Sequence, residues 1–190
     1  MQHGNKTRGT GPLGGAGMVG LWGASSLIES IQRGTITYDT SSVSSATATI
    51  AAVDMSRSRL RFNGLYISGG ANNNKLASRI AFTNATTITV TVTGGGGAGL
   101  LCIVSYEVIQ YMPGVVRNIQ RGTALGNTVW TITEVRMDKS EVDYLGAQGS
   151  DINTNITTSA RVLLSTTTGV NNASVGLTND TVGMQVTEFF

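Results

Sequence analysis

Three observations make this chain all-β: apolar and polar residues alternate with a period of two over most of its length, no helical stripe exceeds two turns, and glycine-rich turns separate the alternating runs. An internal repeat divides it further, into two tandem antiparallel β-sandwich or barrel modules behind an extended glycine-rich N-terminal arm. The arm spans 1–27 and has eight glycines, one proline and no clear period. The first module spans 28–111 and the second 115–190, with the boundary at 110–114, where Pro113 stands.

The repeat is read directly from the residues. Ile31-Gln32-Arg33-Gly34-Thr35 recurs as Ile119-Gln120-Arg121-Gly122-Thr123, an offset of 88. Further on, an offset of 82 pairs Thr49 with Thr131, Ile50 with Ile132, Val53 with Val135, Met55 with Met137, Ser58 with Ser140, Gly64 with Gly146 and Arg79 with Arg161. The change from 88 to 82 places a six-residue shortening in the loop after the first strand, 38–46 in one copy and 124–127 in the other. Loops absorb such changes; strands do not.

Within the first copy, 47–52 alternates Thr and Ala, and Leu60 and Phe62 alternate with Arg57, Arg59, Arg61 and Asn63. Ile80 and Phe82, then Ile88, Val90 and Val92 among threonines, then Cys102, Val104, Tyr106 and Val108 complete five or six strands. The second copy has strand patterns at 129–135, 142–145, 161–165 and 184–190. An antiparallel sheet with one apolar face buries it against a second sheet, hence a sandwich of about 80 residues per copy. A module that small buries only about 60% of its unfolded surface, so packing of the copies on each other or on other subunits is expected.

Composition then narrows the function. Only 13% of residues are charged, about half the usual ~25%. The surface is therefore rich in Ser, Thr, Asn and Gly, which neighbours cover cheaply. Of the net charge of +2, Lys6 and Arg8 supply two cations in the arm, leaving 11 basic against 11 acidic residues in the body. A balanced body lacks the basic face that nucleic-acid binding requires. One cysteine, Cys102, permits neither an internal disulfide nor a thiolate metal cluster, and one histidine, His3, leaves histidine-based nucleophile pairs without material. No enzyme is expected. The longest apolar run, 100–104, is strand-sized, so no membrane span is expected. The opening imitates a signal peptide faintly, but five glycines interrupt its apolar stretch.

Two G-x-G-x-x-G matches, at Gly9, Gly11, Gly14 and at Gly94, Gly96, Gly99, lack the strand-then-helix setting that a dinucleotide pyrophosphate needs. No cofactor is expected. Asp138, Glu141, Asp143 and Asp151 concentrate carboxylates without calcium-loop spacing and read as a solvated face, so no metal is expected. The candidates for partner contact are Lys6, Arg8, Pro12, Leu13 and Trp22 in the arm, and Arg33, Arg57, Arg59, Arg61 and Arg121 in the body. Arg57, Arg59 and Arg61 fall on one strand face, either a basic ladder for an acidic neighbour or a solvated outer face. The second copy has Lys139, Glu141 and Asp143 there, an opposite tendency that suits different partners, or docking of one copy against the other copy of a neighbouring chain. Arg33 and Arg121, inside the repeated string, read as hydrogen-bond donors to loop carbonyls or as ligand contacts. Trp22 suits a partner's pocket; Trp130 and Cys102 suit the core.

The Ile31-Gln32-Arg33-Gly34-Thr35 opening, the Ala46-Thr47-Ala48-Thr49-Ile50 strand, the Ala-Val-Asp turn ending at Asp54, the Arg59-Leu60-Arg61-Phe62 strand and the closing Val104-Ser105-Tyr106-Glu107-Val108 together resemble small β-rich virion proteins of tailed bacteriophages. The likeness covers residues 28–111 and, loosely, 115–190, where Glu134-Val135-Arg136 replaces the turn. It implies a structural subunit of the virion. Capsid decoration, by docking on the major capsid protein and on copies of itself, is the first expectation. A tail, head-fibre or baseplate component with a receptor- or glycan-binding module is the alternative. A homo-oligomer, with a trimer as the guess, follows from the threefold sites such proteins occupy.

Overall fold

The computed structural model describes residues 27–39, 44–68, 78–92, 101–149, 162–172 and 180–190. Among them the chain is all-β, with strands antiparallel throughout and one 3-10 turn at Met137–Lys139. The first half contributes β1 (Ile28–Asp39), β2 (Ser45–Thr49), β3 (Ser58–Ser68), β4 (Ser78–Asn84), β5 (Thr87–Val92) and β6 (Leu101–Tyr111). From the second come β7 (Val116–Leu125), β8 (Val129–Thr131), β9 (Ser140–Gln148), β10 (Val162–Thr166), β11 (Gly169–Asn172) and β12 (Thr181–Phe189). The arm, with Lys6, Arg8, Pro12, Leu13 and Trp22, lies outside the described residues.

Strand pairing in the first half is β1-β6-β3 in one sheet and β2-β5-β4 in the other. The second half repeats it as β7-β12-β9 and β8-β11-β10. Each half closes as a sandwich because its alternating residues converge. Ile36, Leu60, Val104 and Val108 from one sheet meet Ile80, Ile88 and Val90 from the other. In the second half Val182, Met184 and Val186 meet Ile132 and Val170, with Trp130 packed alongside. Leu60, Ile80, Ile88, Val90 and Val104 are wholly buried, each stabilising the fold by about 1.5–3 kcal/mol.

The correspondence extends to irregularities. In β3 a bulge sets Asn63 and Gly64 against one β6 residue, since Phe62 pairs with Tyr106 and Leu65 with Val104. The same bulge recurs in β9, where Tyr144 pairs with Met184 and Ala147 with Val182. Both bulges place a glycine at positive φ, Gly64 at 132° and Gly146 at 91°, a backbone setting that side chains resist. The loops match too: Ile50 N–H donates to the Thr86 carbonyl and Val53 N–H to that of Ala85, as Ile132 does to Thr168 and Val135 to Thr167.

These loop bonds shorten one expected strand. Residues 129–135 were to be a single strand, but only Val129–Thr131 pairs in a ladder, because Ile132 and Val135 turn to the 167–168 loop. β11 has no counterpart among the expected strands, since Gly169, Asn171 and Asn172 are residues that strands disfavour. Between β6 and β7 the chain turns at Pro113: Val115 N–H donates to the Met112 carbonyl, and Gly114 adopts φ 81°.

The halves do not stand apart. β4 and β9 bridge at Arg79 and Gly146, which joins two three-stranded sheets into one of order β2-β5-β4-β9-β12-β7. A side chain at Gly146 would overlap the Ser78 carbonyl. A small apolar cluster ties the ends: Ile109 and Tyr111 of β6 pack with Val116, Ile119 and Phe189, the Tyr111 and Phe189 rings meeting edge to face at 5.5 Å.

Candidate functional site

The repeated Ile-Gln-Arg-Gly-Thr string has a local structural job that is the same in both halves. Its glutamine clasps a neighbouring backbone: Gln32 donates to the Ala51 carbonyl at 3.0 Å and accepts from Ala51 N–H at 2.7 Å. Gln120 does the same at Thr133, at 2.9 and 2.6 Å. The glycine leaves room for an aromatic ring, Tyr106 over Gly34 and Trp130 over Gly122. The arginine reaches across to the central strand. Arg33 Nε donates to Glu107 Oε2 at 2.5 Å, and Arg121 Nε to Gln185 Oε1 at 2.9 Å.

From that point the two arginines diverge. Arg33 is 65% exposed, and Glu107 is held between it and Arg61. Arg121 lies under the first half: its Nη2 donates to the Met55 carbonyl at 2.9 Å and to the Ser58 carbonyl, and its guanidinium sits 5.1 Å from the Phe82 ring centre. Burial pulls its pKa down to about 10. The charge is kept because these donors are occupied and the ring face is negative.

Around Arg121 the outer face of β7-β12-β9 receives the free edge of β3. Leu60 N–H donates to Gln185 Oε1 at 3.3 Å, and Gln185 Nε2 reaches back to the Leu60 carbonyl at 3.5 Å and to Asp143 Oδ2 at 3.2 Å. Arg59 grips Asp143 with two bonds, Nε to Oδ2 at 2.6 Å and Nη2 to Oδ1 at 2.7 Å, and touches Glu141. The side chains of Arg59 and Asp143 are only 14% and 9% exposed. Burial opposes the Arg59 charge, but the Asp143 carboxylate more than offsets it and holds its pKa above the ordinary value. The Leu145 side chain of β9 packs into the first half's core, and Phe62 meets Tyr144 edge to face at 5.9 Å. Beside this seam a cleft of about 180 Å³ opens between Arg79, Phe82, Arg121, Leu145 and Gly183.

The expected partner residues therefore separate into groups. Arg59 and Arg121 are occupied inside the chain, Arg59 by the Asp143 and Glu141 carboxylates of the second half and Arg121 by the Met55 and Ser58 carbonyls of the first. Arg57 precedes β3, bonding Asp54 Oδ2 at 3.0 Å, Glu29 and the Tyr111 carbonyl, and so does not extend the ladder. Of the expected solvated carboxylate face, Asp138 and Glu141 are 69% and 54% exposed, Asp143 is instead buried against Arg59, and Asp151 lies outside the described residues. Arg33 and Arg61, 65% and 48% exposed, remain on an outer face. Gln185 and Glu107 were missed, since the sixth and twelfth strands share little sequence beyond two valines, Val104 with Val182 and Val108 with Val186. Comparison with protein-family models, curated proteins and solved structures finds no match to this chain.

Proposed function

We propose that this chain is a non-enzymatic structural subunit of a tailed-phage particle, one that decorates or cements the capsid by docking on the major capsid protein and on copies of itself. We further infer that it arose by tandem doubling of one sandwich. The resemblance of the 31–35 opening, the Ala-Val-Asp turn and the 104–108 strand to phage virion modules carries the reading. Those pieces lie together in the first half, where Gln32 holds Ala51 and Arg33 holds Glu107. The motif is thus one folding unit and not three scattered likenesses.

Adhesion is the mechanism. A surface of low charge costs little to desolvate when covered, an interface of about 1,600 Å² suffices for stable association, and repetition over a particle multiplies it. The arm, with Lys6, Arg8, Pro12, Leu13 and Trp22, supplies additional contact to the capsid. Deleting 1–23 tests this: the body stays folded while incorporation into particles is lost, and unchanged incorporation overturns the arm's role. Labelled protein retained by stripped capsids and not by whole bacteria supports decoration. The reverse result supports a receptor-binding tail part.

A further inference from the structure

The seam within the chain uses one face and one edge, and each has an equivalent left over. The used face belongs to the second half: Arg121, Gln185 and Asp143 on β7, β12 and β9. Its equivalent in the first half is Arg33, Glu107 and Arg61 on β1, β6 and β3, in the same ladder register. The used edge belongs to the first half: the carbonyls of Met55 and Ser58, Arg59 and the Leu60 backbone. Its equivalent in the second half is Met137, Ser140, Glu141 and Val142. Among the described residues the leftover face is open, with Arg33, Arg61 and Tyr66 exposed; on the leftover edge Met137 is exposed, and Glu141, one oxygen of which Arg59 of the same chain already holds across the seam, is still 54% exposed.

We propose that the Arg33–Glu107–Arg61 face of one copy docks the Ser140–Glu141–Val142 edge of a second copy, repeating between chains the seam that each chain already contains. Charge argues for this occupant. In the seam, edge Arg59 meets face Asp143; at the leftover surfaces edge Glu141 meets face Arg61. Both signs are reversed, so the attraction survives, whereas two leftover faces would set arginine against arginine and two leftover edges glutamate against glutamate. The carbonyls of Met137 and Ser140 offer Arg33 what Met55 and Ser58 offer Arg121, from the same residue types. Val142 N–H meets Glu107 as Leu60 N–H meets Gln185.

Two departures make the contact weaker than the seam. Asn63 stands where Leu145 inserts into the core, and the Glu107 carboxylate has no proton to donate to the Val142 carbonyl. The association is therefore reversible. A face-to-edge contact is heterologous and propagates until it closes a ring or forms a filament. The inference deepens the self-association named above but requires no particle, so it stands or falls on pure protein, independently of the phage reading.

Sedimentation velocity on the full chain over a hundredfold concentration range is the test. Wild type assembles as concentration rises. R61E and E141R each dissociate at least about tenfold more readily, equivalent to about 1.4 kcal/mol. Mixed in equal amounts they recover wild-type assembly, because every face-to-edge contact between unlike variants again joins opposite charges. Thermal melts verify that each variant is folded; if either is not, R61Q and E141Q replace them, each weakening assembly. A monomeric wild type, assembly indifferent to both substitutions, or a mixture no better than its components overturns the proposal.

Discussion

Arg33 and Arg121 begin in identical five-residue strings, make the same first hydrogen bond, and end in different worlds. One is two-thirds exposed beside Glu107; the other lies half-buried beneath the opposite half, held by two carbonyls and the Phe82 ring. Local sequence fixes local geometry: the glutamine clasp, the ring over glycine, the reach to the central strand. What the arginine then experiences is decided by which sheet face the other half covers. Equivalent substitutions in the two halves therefore should not have equivalent costs, and that inequality is open to measurement.

The largest gap is expected at the paired bulges. Gly146→Ala forces a side chain into the Ser78 carbonyl at φ 91°, breaking the β4–β9 bridge at a cost of about 4 kcal/mol. Gly64→Ala meets no neighbour within 4 Å and bears only the strain of its φ of 132°, about 1–2 kcal/mol. Urea unfolding of both variants gives the difference directly; equal costs would mean that the bridge adds nothing.

Next come the charges. Arg59→Ala leaves the buried Asp143 carboxylate without its bidentate partner and costs about 3 kcal/mol. Arg61→Ala, on the open face, costs under about 1 kcal/mol in the isolated chain. Thermal melts at low concentration, where self-association does not contribute, distinguish the two.

A third comparison uses alkaline pH. Burial pushes the Tyr144 phenol up to about 12 from its ordinary 10. A phenol with a higher pKa in the folded than in the unfolded chain lends stability that is complete below pH 10 and drains away as pH rises through about 12. Two pKa units bound the loss at about 2.7 kcal/mol. Tyr144→Phe, which puts there the residue that the first half has at Phe62, should flatten that part of the stability profile between pH 10 and 12. An unchanged slope in Tyr144→Phe would contradict the burial of that ring.

Much of this fold was legible in the residues. Period-two alternation located most strands, the offsets of 88 and 82 aligned the openings and bulges of the two halves, and Cys102 is buried in the core as its apolar surroundings implied, while Trp130 is half-buried against the second half's core. What stayed hidden has a physical reason. β6 and β12 correspond at a third offset, 78, preserving Val104 with Val182 and Val108 with Val186 but replacing Glu107 by Gln185, so their likeness lies mainly in ladder position. The sign reversal between Arg59, Arg61 and Glu141, Asp143 was visible as composition. That Arg59 and Asp143 bind each other was not, because docking of one sandwich on another is set by surfaces assembled from distant strands.

The account turns on one proposition, that the same face is seam in the second half and surface in the first. Arg121→Ala and Arg33→Ala, compared by urea unfolding in one buffer at one low concentration, test it most directly. Arg121→Ala should cost about 2 kcal/mol, because it strips bonds from the Met55 and Ser58 carbonyls and from Gln185, and Arg33→Ala under about 1 kcal/mol. Equal losses at the two positions would contradict it.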